Sequence, residues 1–175
     1  MWVLGVEQLG KMIISNNLQN QTHQKYRLAA RGIILKDKKI LMIYSRFYND
    51  YTFPGGGVES GEDELIALRR ECVEEAGVEI ENVRPFCKIL EKRELDEETF
   101  LLHESHFYLC DIKKYTQRHL EDYEIALGYE TVWISIDDAI DSNHKKMLAL
   151  TEKDYTGVLE RELLVLNKLK KDYLL

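Results

Sequence analysis

The stretch Gly55-Gly56-Gly57-Val58-Glu59-Ser60-Gly61-Glu62, continuing to Leu68-Arg69-Arg70-Glu71-Cys72-Val73-Glu74-Glu75-Ala76-Gly77-Val78, decides how the chain folds. Residues 62–76 hold neither Gly nor Pro after Gly61 and are rich in Glu, Leu, Arg and Ala, all good helix formers. Gly77 stands where a left-handed C-cap is expected. Leu65, Leu68, Cys72 and Ala76 fall on one stripe of the predicted helix and face a core. Ile66 and Val73 form a second apolar line, so the helix is expected to lie between two layers. Glu71, Glu74 and Glu75, at i, i+3 and i+4, share an arc of ~100°. Like charges that close cost stability, and the C-terminal half of a helix already disfavours negative charge. A hard divalent cation on oxygen ligands would offset both penalties. Taken alone, an acidic helix face solvated by water, with Arg69 and Arg70 as surface partners, also accounts for the pattern.

Its place behind a Gly-rich turn and an arginine sets this stretch apart. Gly56-x5-Glu62-x7-Arg70-Glu71-Cys72-x-Glu74-Glu75-x-Gly77-Val78 resembles the Nudix box, the signature of Nudix pyrophosphohydrolases. Each glycine, arginine and glutamate of that pattern is present at the family spacing, and Phe53-Pro54-Gly55-Gly56 before it is similar as well. The one departure is Cys72, where Leu, Ile or Val is usual; a small apolar thiol can fill that place as packing. The resemblance implies an α+β fold of the Nudix type, an α/β/α sandwich with a mixed β-sheet between helices. It also implies that Glu71, Glu74 and Glu75, with the backbone carbonyl of Gly56, hold Mg2+, with Mn2+ as a possible substitute. One of these glutamates or a later acid would be the general base, and Arg70 would orient a box glutamate. The implied reaction is attack of water on phosphorus in a nucleoside triphosphate or nucleotide-sugar type substrate. The alternative is a Nudix-fold module that senses a nucleotide or binds a partner without turnover; lost box carboxylates would mark it, and none is lost.

Outward from the box, residues 26–35 and 39–46 read as strands joined at Lys36-Asp37-Lys38. About 82–94 and 99–112 read as a hairpin across Leu95-Asp96-Glu97-Glu98, and 131–136 as a further strand. Asp137-Asp138-Ala139-Ile140 starts a short helix, and Thr151 or Asp154 could cap a last one running to about residue 172. Its apolar face, Val158, Leu159, Leu163, Leu166 and Leu169, serves the core or a homodimer. Residues 1–20 read as an N-terminal arm or strand and 21–175 as a single domain.

Further candidates lie around the box. Glu124 and Glu130, before the predicted strand at 131–136, could supply another acidic ligand or base. Arg46 could meet a phosphate or sit at the surface. Phe53, with Tyr44, Phe47, Tyr48 and Tyr51, could stack on a substrate base or belong to the core. His103 and His106, three apart on a strand, point to opposite faces and do not share a metal.

Composition bounds the function. Among 175 residues, 24 Lys and Arg against 31 Asp and Glu give a net charge of −7, which argues against stable nucleic-acid binding by phosphate neutralisation. No apolar run reaches the ~18 residues that cross a bilayer, so no membrane association is expected. Three cysteines without a C-x-x-C pair and a start lacking a basic, then apolar leader fit a cytoplasmic protein.

Overall fold

The structure is a computed structural model that describes residues 7–14, 23–151 and 156–173. In chain order the strands are β1 (Glu7–Ile14), β2 (His23–Lys36), β3 (Lys39–Ser45), β4 (Asp50–Thr52), β5 (Gly55–Gly57), β6 (Val78–Glu94), β7 (Thr99–Tyr115) and β8 (Tyr129–Ser135). The helices are α1 (Glu64–Ala76), α2 (Asp122–Ala126), α3 (Ile136–Ala149) and α4 (Val158–Tyr173). The strands form one sheet ordered β1-β6-β7-β2-β3-β4, with β5 paired to β2 and β8 to β3. β1 runs parallel to β6 and β2 parallel to β7, while β6–β7, β2–β3 and β3–β8 are antiparallel.

Strand alternation divides the core into two layers. Ile33, Cys87, Ile89 and Phe107 project from one face onto Ile136 and Ala139 of α3 and Val165, Leu166 and Leu169 of α4. Ala30, Ile34, Tyr108 and Cys110 project from the other onto Leu68, Cys72 and Ala76 of α1. The result is the expected α/β/α sandwich with a mixed sheet between helices.

α1 begins at Glu64, after Asp63, whose side chain caps it by accepting from the Leu65 amide at 2.9 Å. It ends at Gly77 with φ 68°, the left-handed cap read from the sequence. Only one of its two apolar lines is buried. Ile66 is 59 % exposed, because the sheet covers the Leu68–Cys72–Ala76 side and no second layer covers Ile66. Cys72 is fully buried, and burial pushes its thiol well above the usual range, as suits a packing group.

Elsewhere the elements exceed the sequence reading. The hairpin strands reach Val78 and Tyr115, and α3 is a 14-residue helix rather than a short one. β4, β5 and α2 are elements that the sequence reading does not assign. α4 starts at Val158, too far from Thr151 for a cap; Asp154 lies outside the described residues, as do 1–6 and 15–20 of the N-terminal segment. The apolar face of α4 packs into its own core through Leu159, Leu163, Leu166 and Leu169. Among the described residues, no helix is long and apolar enough to cross a membrane.

Candidate active site

The glycine stretch forms β5, whose Gly55–Gly57 pairs antiparallel with Ala29–Arg31 of β2. Gly55 has φ 140°, and a Cβ there would lie 2.2 Å from the Ala30 carbonyl oxygen, so only glycine fits. A Cβ on Gly56 would stand 2.3 Å from Glu71 Oε1, so a missing side chain makes the room that the Glu71 carboxylate occupies. The amide of Gly55 donates to Glu75 Oε2 at 2.7 Å, which ties the far end of α1 to the same strand.

Arg70 organises the near end. Its Nε and Nη2 fork onto the two oxygens of Glu62, each at 3.0 Å, and Nη2 also reaches the Gly57 carbonyl at 3.2 Å. Its Nη1 donates to Glu71 Oε1 at 2.9 Å and Glu74 Oε2 at 3.0 Å. Glu62 therefore joins the lead-in loop to α1 through Arg70. It precedes α1 and shares Arg70 with Glu71 and Glu74.

Glu71 and Glu75 line a cavity of about 710 Å³ together with β5, Tyr123 and Tyr129; Glu74 stands outside it, on Arg70. Glu124 is 3 % exposed and holds the turn into α2, accepting from the Glu121 amide at 2.8 Å and the Tyr123 hydroxyl at 3.0 Å. Burial pushes the Glu71 carboxyl up against the pull of Arg70, and the charges of Glu74 and Glu124 push the same way. Glu75 is driven well above the usual range by burial, opposed by the Gly55 amide and reinforced by Glu71 and Glu124.

These are hard oxygen donors that disfavour one another's charge, and their chemistry fits a divalent cation. As the side chains stand, no three Asp, Glu, His or Cys among the described residues enclose a metal position, since Arg70 holds Glu71 and Glu74.

Other candidates fall elsewhere. Phe53 is 1 % exposed and packs edge-on against Phe107 at 5.4 Å between centroids. Its ring belongs to the core and offers no face to a substrate. Arg46 lies at the surface, paired with Glu130, so neither reaches the cavity. Tyr44, Phe47, Tyr48 and Tyr51 are also absent from its wall.

Sequence reasoning missed Arg27, Arg31, Arg93 and Arg161, all of which line the cavity. Alternation along β2 already puts Arg27 and Arg31 on one face with Ala29 and Ile33, a usable signal. The strand leading to the site is held from behind. Asn143 of α3 brackets Tyr51, accepting from its amide at 2.9 Å and donating to its carbonyl at 2.8 Å. Glu162 of α4 accepts from the Phe53 amide at 3.0 Å.

Residues 25–153 match the NUDIX domain family. Over 128 residues the chain is 31 % identical to diphosphoinositol polyphosphate phosphohydrolase 2 of Rattus norvegicus, covering 72 % of this chain and 63 % of that protein. Over 107 residues it is 30 % identical to diphosphoinositol polyphosphate phosphohydrolase 3-beta of Bos taurus, covering 60 % of this chain and 59 % of that protein. The chain thus spans about six-tenths of the length of these curated relatives. Among solved structures, one described as an ADP compounds hydrolase shares the fold, with a TM-score of 0.56 at 15 % identity over 87 % of this chain and 77 % of that one. The family match runs from the first residues of β2 through α3 and takes in the glycine strand and the Arg70 helix; the chain belongs to the Nudix family.

Proposed function

We propose that the protein is a Mg2+-dependent pyrophosphohydrolase, with Mn2+ as a substitute, acting on a diphosphate linkage in a nucleotide-type small molecule. The observation that carries this reading is the Arg70 network beside β5. One guanidinium fixes Glu62, Glu71, Glu74 and the Gly57 carbonyl, while Glu75 is held on Gly55. Glu71, Glu74 and Glu75, with the Gly56 carbonyl and Glu124, are the groups that would hold the metal. When bound, such a metal supplies charge neutralisation for the diphosphate and an acidified water. The chain's own part is then positional. Arg70 keeps two carboxylates on α1 oriented, and the absence of a side chain at Gly56 leaves Glu71 its place. Glu75, on the cavity wall and held on the Gly55 amide, serves as the proton acceptor in this reading.

The test is phosphate or pyrophosphate release across nucleoside triphosphates, nucleotide sugars and diphosphoinositol polyphosphates, with Mg2+ or Mn2+ and with chelator. Turnover that chelation abolishes and Glu75→Gln lowers by about 10²–10⁴-fold is expected. Tight binding of one compound with turnover of none would replace the hydrolase with the sensing module. Wild-type rates in Glu75→Gln would remove that residue from the chemistry.

A further inference from the structure

The cavity has a second chemical character that the diphosphate reaction does not use. Its acidic groups Glu59, Glu71, Glu75 and Glu121 come from the segment before α1, from α1 itself and from the segment before α2, with Arg70 of α1 beside them. The other four arginines come from elsewhere: Arg27 and Arg31 from β2, Arg93 from β6 and Arg161 from α4, with His103 of β7 among them. The register explains the gathering, since His103 pairs with Arg27 on one side and Glu91 on the other. Alternation then puts Arg31 and Arg93 on that same face.

The buried carboxylates beneath are Glu91 and Glu162. Glu91 accepts from Arg93 and, at 3.3 Å, from Arg161, while Glu162 takes Arg161 at 2.6 and 2.9 Å and the Phe53 amide. Glu91 and Glu162 are thus spent on Arg93 and Arg161, and among the described residues no carboxylate forms an ion pair with Arg27 or Arg31. The surplus shows in unused donors: Nε of Arg31 and Nε of Arg93 are buried without a partner. Arg31 donates from Nη1 to the Gly55 carbonyl at 3.1 Å. His103 is 5 % exposed, faces Glu91 through Nδ1 at 3.3 Å and leaves Nε2 without a partner.

The groups also feel one another. Burial and the neighbouring Arg161 charge pull Arg31 down to about 10, despite Glu162 and Glu75. Burial and the four arginines drive His103 down to about 2, so its ring is neutral. Cations crowded this way, with donors unspent, cost stability unless an anion joins them.

We propose that Arg27, Arg31, Arg93 and Arg161 form a subsite for a phosphate monoester of the substrate, separate from the two phosphates joined by the bond that is cut. The proposal rests on the hydrolase reading and narrows it to diphosphates that carry at least one further phosphate. Guanidinium forks suit a phosphate's oxygens, whereas a bare sugar or base would leave the donors unsatisfied. With Nδ1 turned to the Glu91 carboxylate, His103 Nε2 is an acceptor for a hydroxyl on the same ligand.

The test uses diphosphates that differ by one phosphate monoester, such as ADP-ribose against its 2′-phosphate and dephospho-coenzyme A against coenzyme A. The readout is the ratio of kcat/KM within a pair, for wild type, Arg27→Gln and Arg93→Gln. Arg27 is exposed, so its variant keeps the fold, and in Arg93→Gln Glu91 retains Arg161 and His103. Wild type should favour the phosphorylated member by about tenfold or more in at least one pair, through KM, and each variant should lose that preference. No preference in any pair, or a preference that both variants keep, overturns the proposal.

Inorganic phosphate titrated by calorimetry separates the two sources of the anion. Phosphate binding that Arg93→Gln abolishes, with no substrate preference, would make this a site for free phosphate and overturn the substrate assignment. If nothing is turned over, equilibrium binding of the same pairs still decides. A preference lost in both variants would uphold the subsite while the hydrolase reading falls.

Discussion

Replacing Glu162 by Gln removes one negative charge from the base of the cavity while keeping nearly the same shape. Gln retains a carbonyl oxygen for the Phe53 amide, now 3.0 Å from Glu162 Oε2. It loses the carboxylate that receives Arg161 at 2.6 and 2.9 Å, in a place where both side chains are almost wholly buried. Arg161 would keep one ion pair, the 3.3 Å contact to Glu91, which Arg93 and His103 already use. Breaking one side of a buried pair costs about 3–5 kcal/mol, a large part of the ~5–15 kcal/mol that holds a domain folded. At roughly 2.1 cal/mol/K of unfolding entropy per residue, 175 residues convert this into a Tm lowered by about 8–14 °C. Scanning calorimetry at pH 7 reads it directly. Repeating the scan in about 1 M salt should leave the drop in place, because a buried pair is barely screened. Adding Arg161→Met should recover part of the loss, since the buried guanidinium that lost its carboxylate is then removed as well. A Tm change below about 2 °C, or one that salt erases, would refute the view that this pair is a buried support.

Three further outcomes follow from the same geometry. Gly56→Ala puts a methyl 2.3 Å from Glu71 Oε1 and must move that carboxylate; turnover should fall by about 10²-fold with little change in Tm, and unaltered release rates would contradict the crowding. Arg70→Lys keeps the charge but cannot fork onto Glu62 while reaching Glu71 and Glu74, so kcat should drop by about 10–100-fold, measured by pyrophosphate release; full activity would show that charge alone suffices. Asp50 is raised to about 6, first by burial and then by Glu162, so its favourable, protonated form is fully present below pH ~3.8 and lost as pH rises through 6. Asp50→Asn should therefore gain about 1–2 kcal/mol over wild type between those limits, after allowance for partial exposure, and a flat difference in urea-derived stability would count against it.

What could be read from sequence was local. The Glu71–Glu74–Glu75 spacing and the Gly77 cap sit within one helix and its end, where the turn angle fixes who meets whom. Residues whose role depends on distant partners were harder to read. Phe53 adjoins the glycine stretch in sequence, yet Phe107, on another strand, takes its ring into the core. Ile66 has helical spacing for a second buried face, but no element arrives to cover it. Arg161 and Glu162 follow Glu160 in α4, and such a run of charges normally signals the solvent side. What makes their burial tolerable is Glu91, 70 residues earlier. Arg27 and Arg31 showed their shared face through alternation, but not that Arg93 and Arg161 would meet them there.

The bond from the Phe53 amide to Glu162 spans 109 residues of chain. During synthesis, Phe53 and the glycines after it leave the ribosome long before Glu162 has been added. Until then the strand can pair with β2, but its rear support is missing. The reactive corner of the molecule is thus among the last parts to be set, and α4 closes it as a keystone closes an arch. Such long-range closure slows folding relative to local contacts. It also means that a nascent chain carrying the whole glutamate helix is still without the finished site.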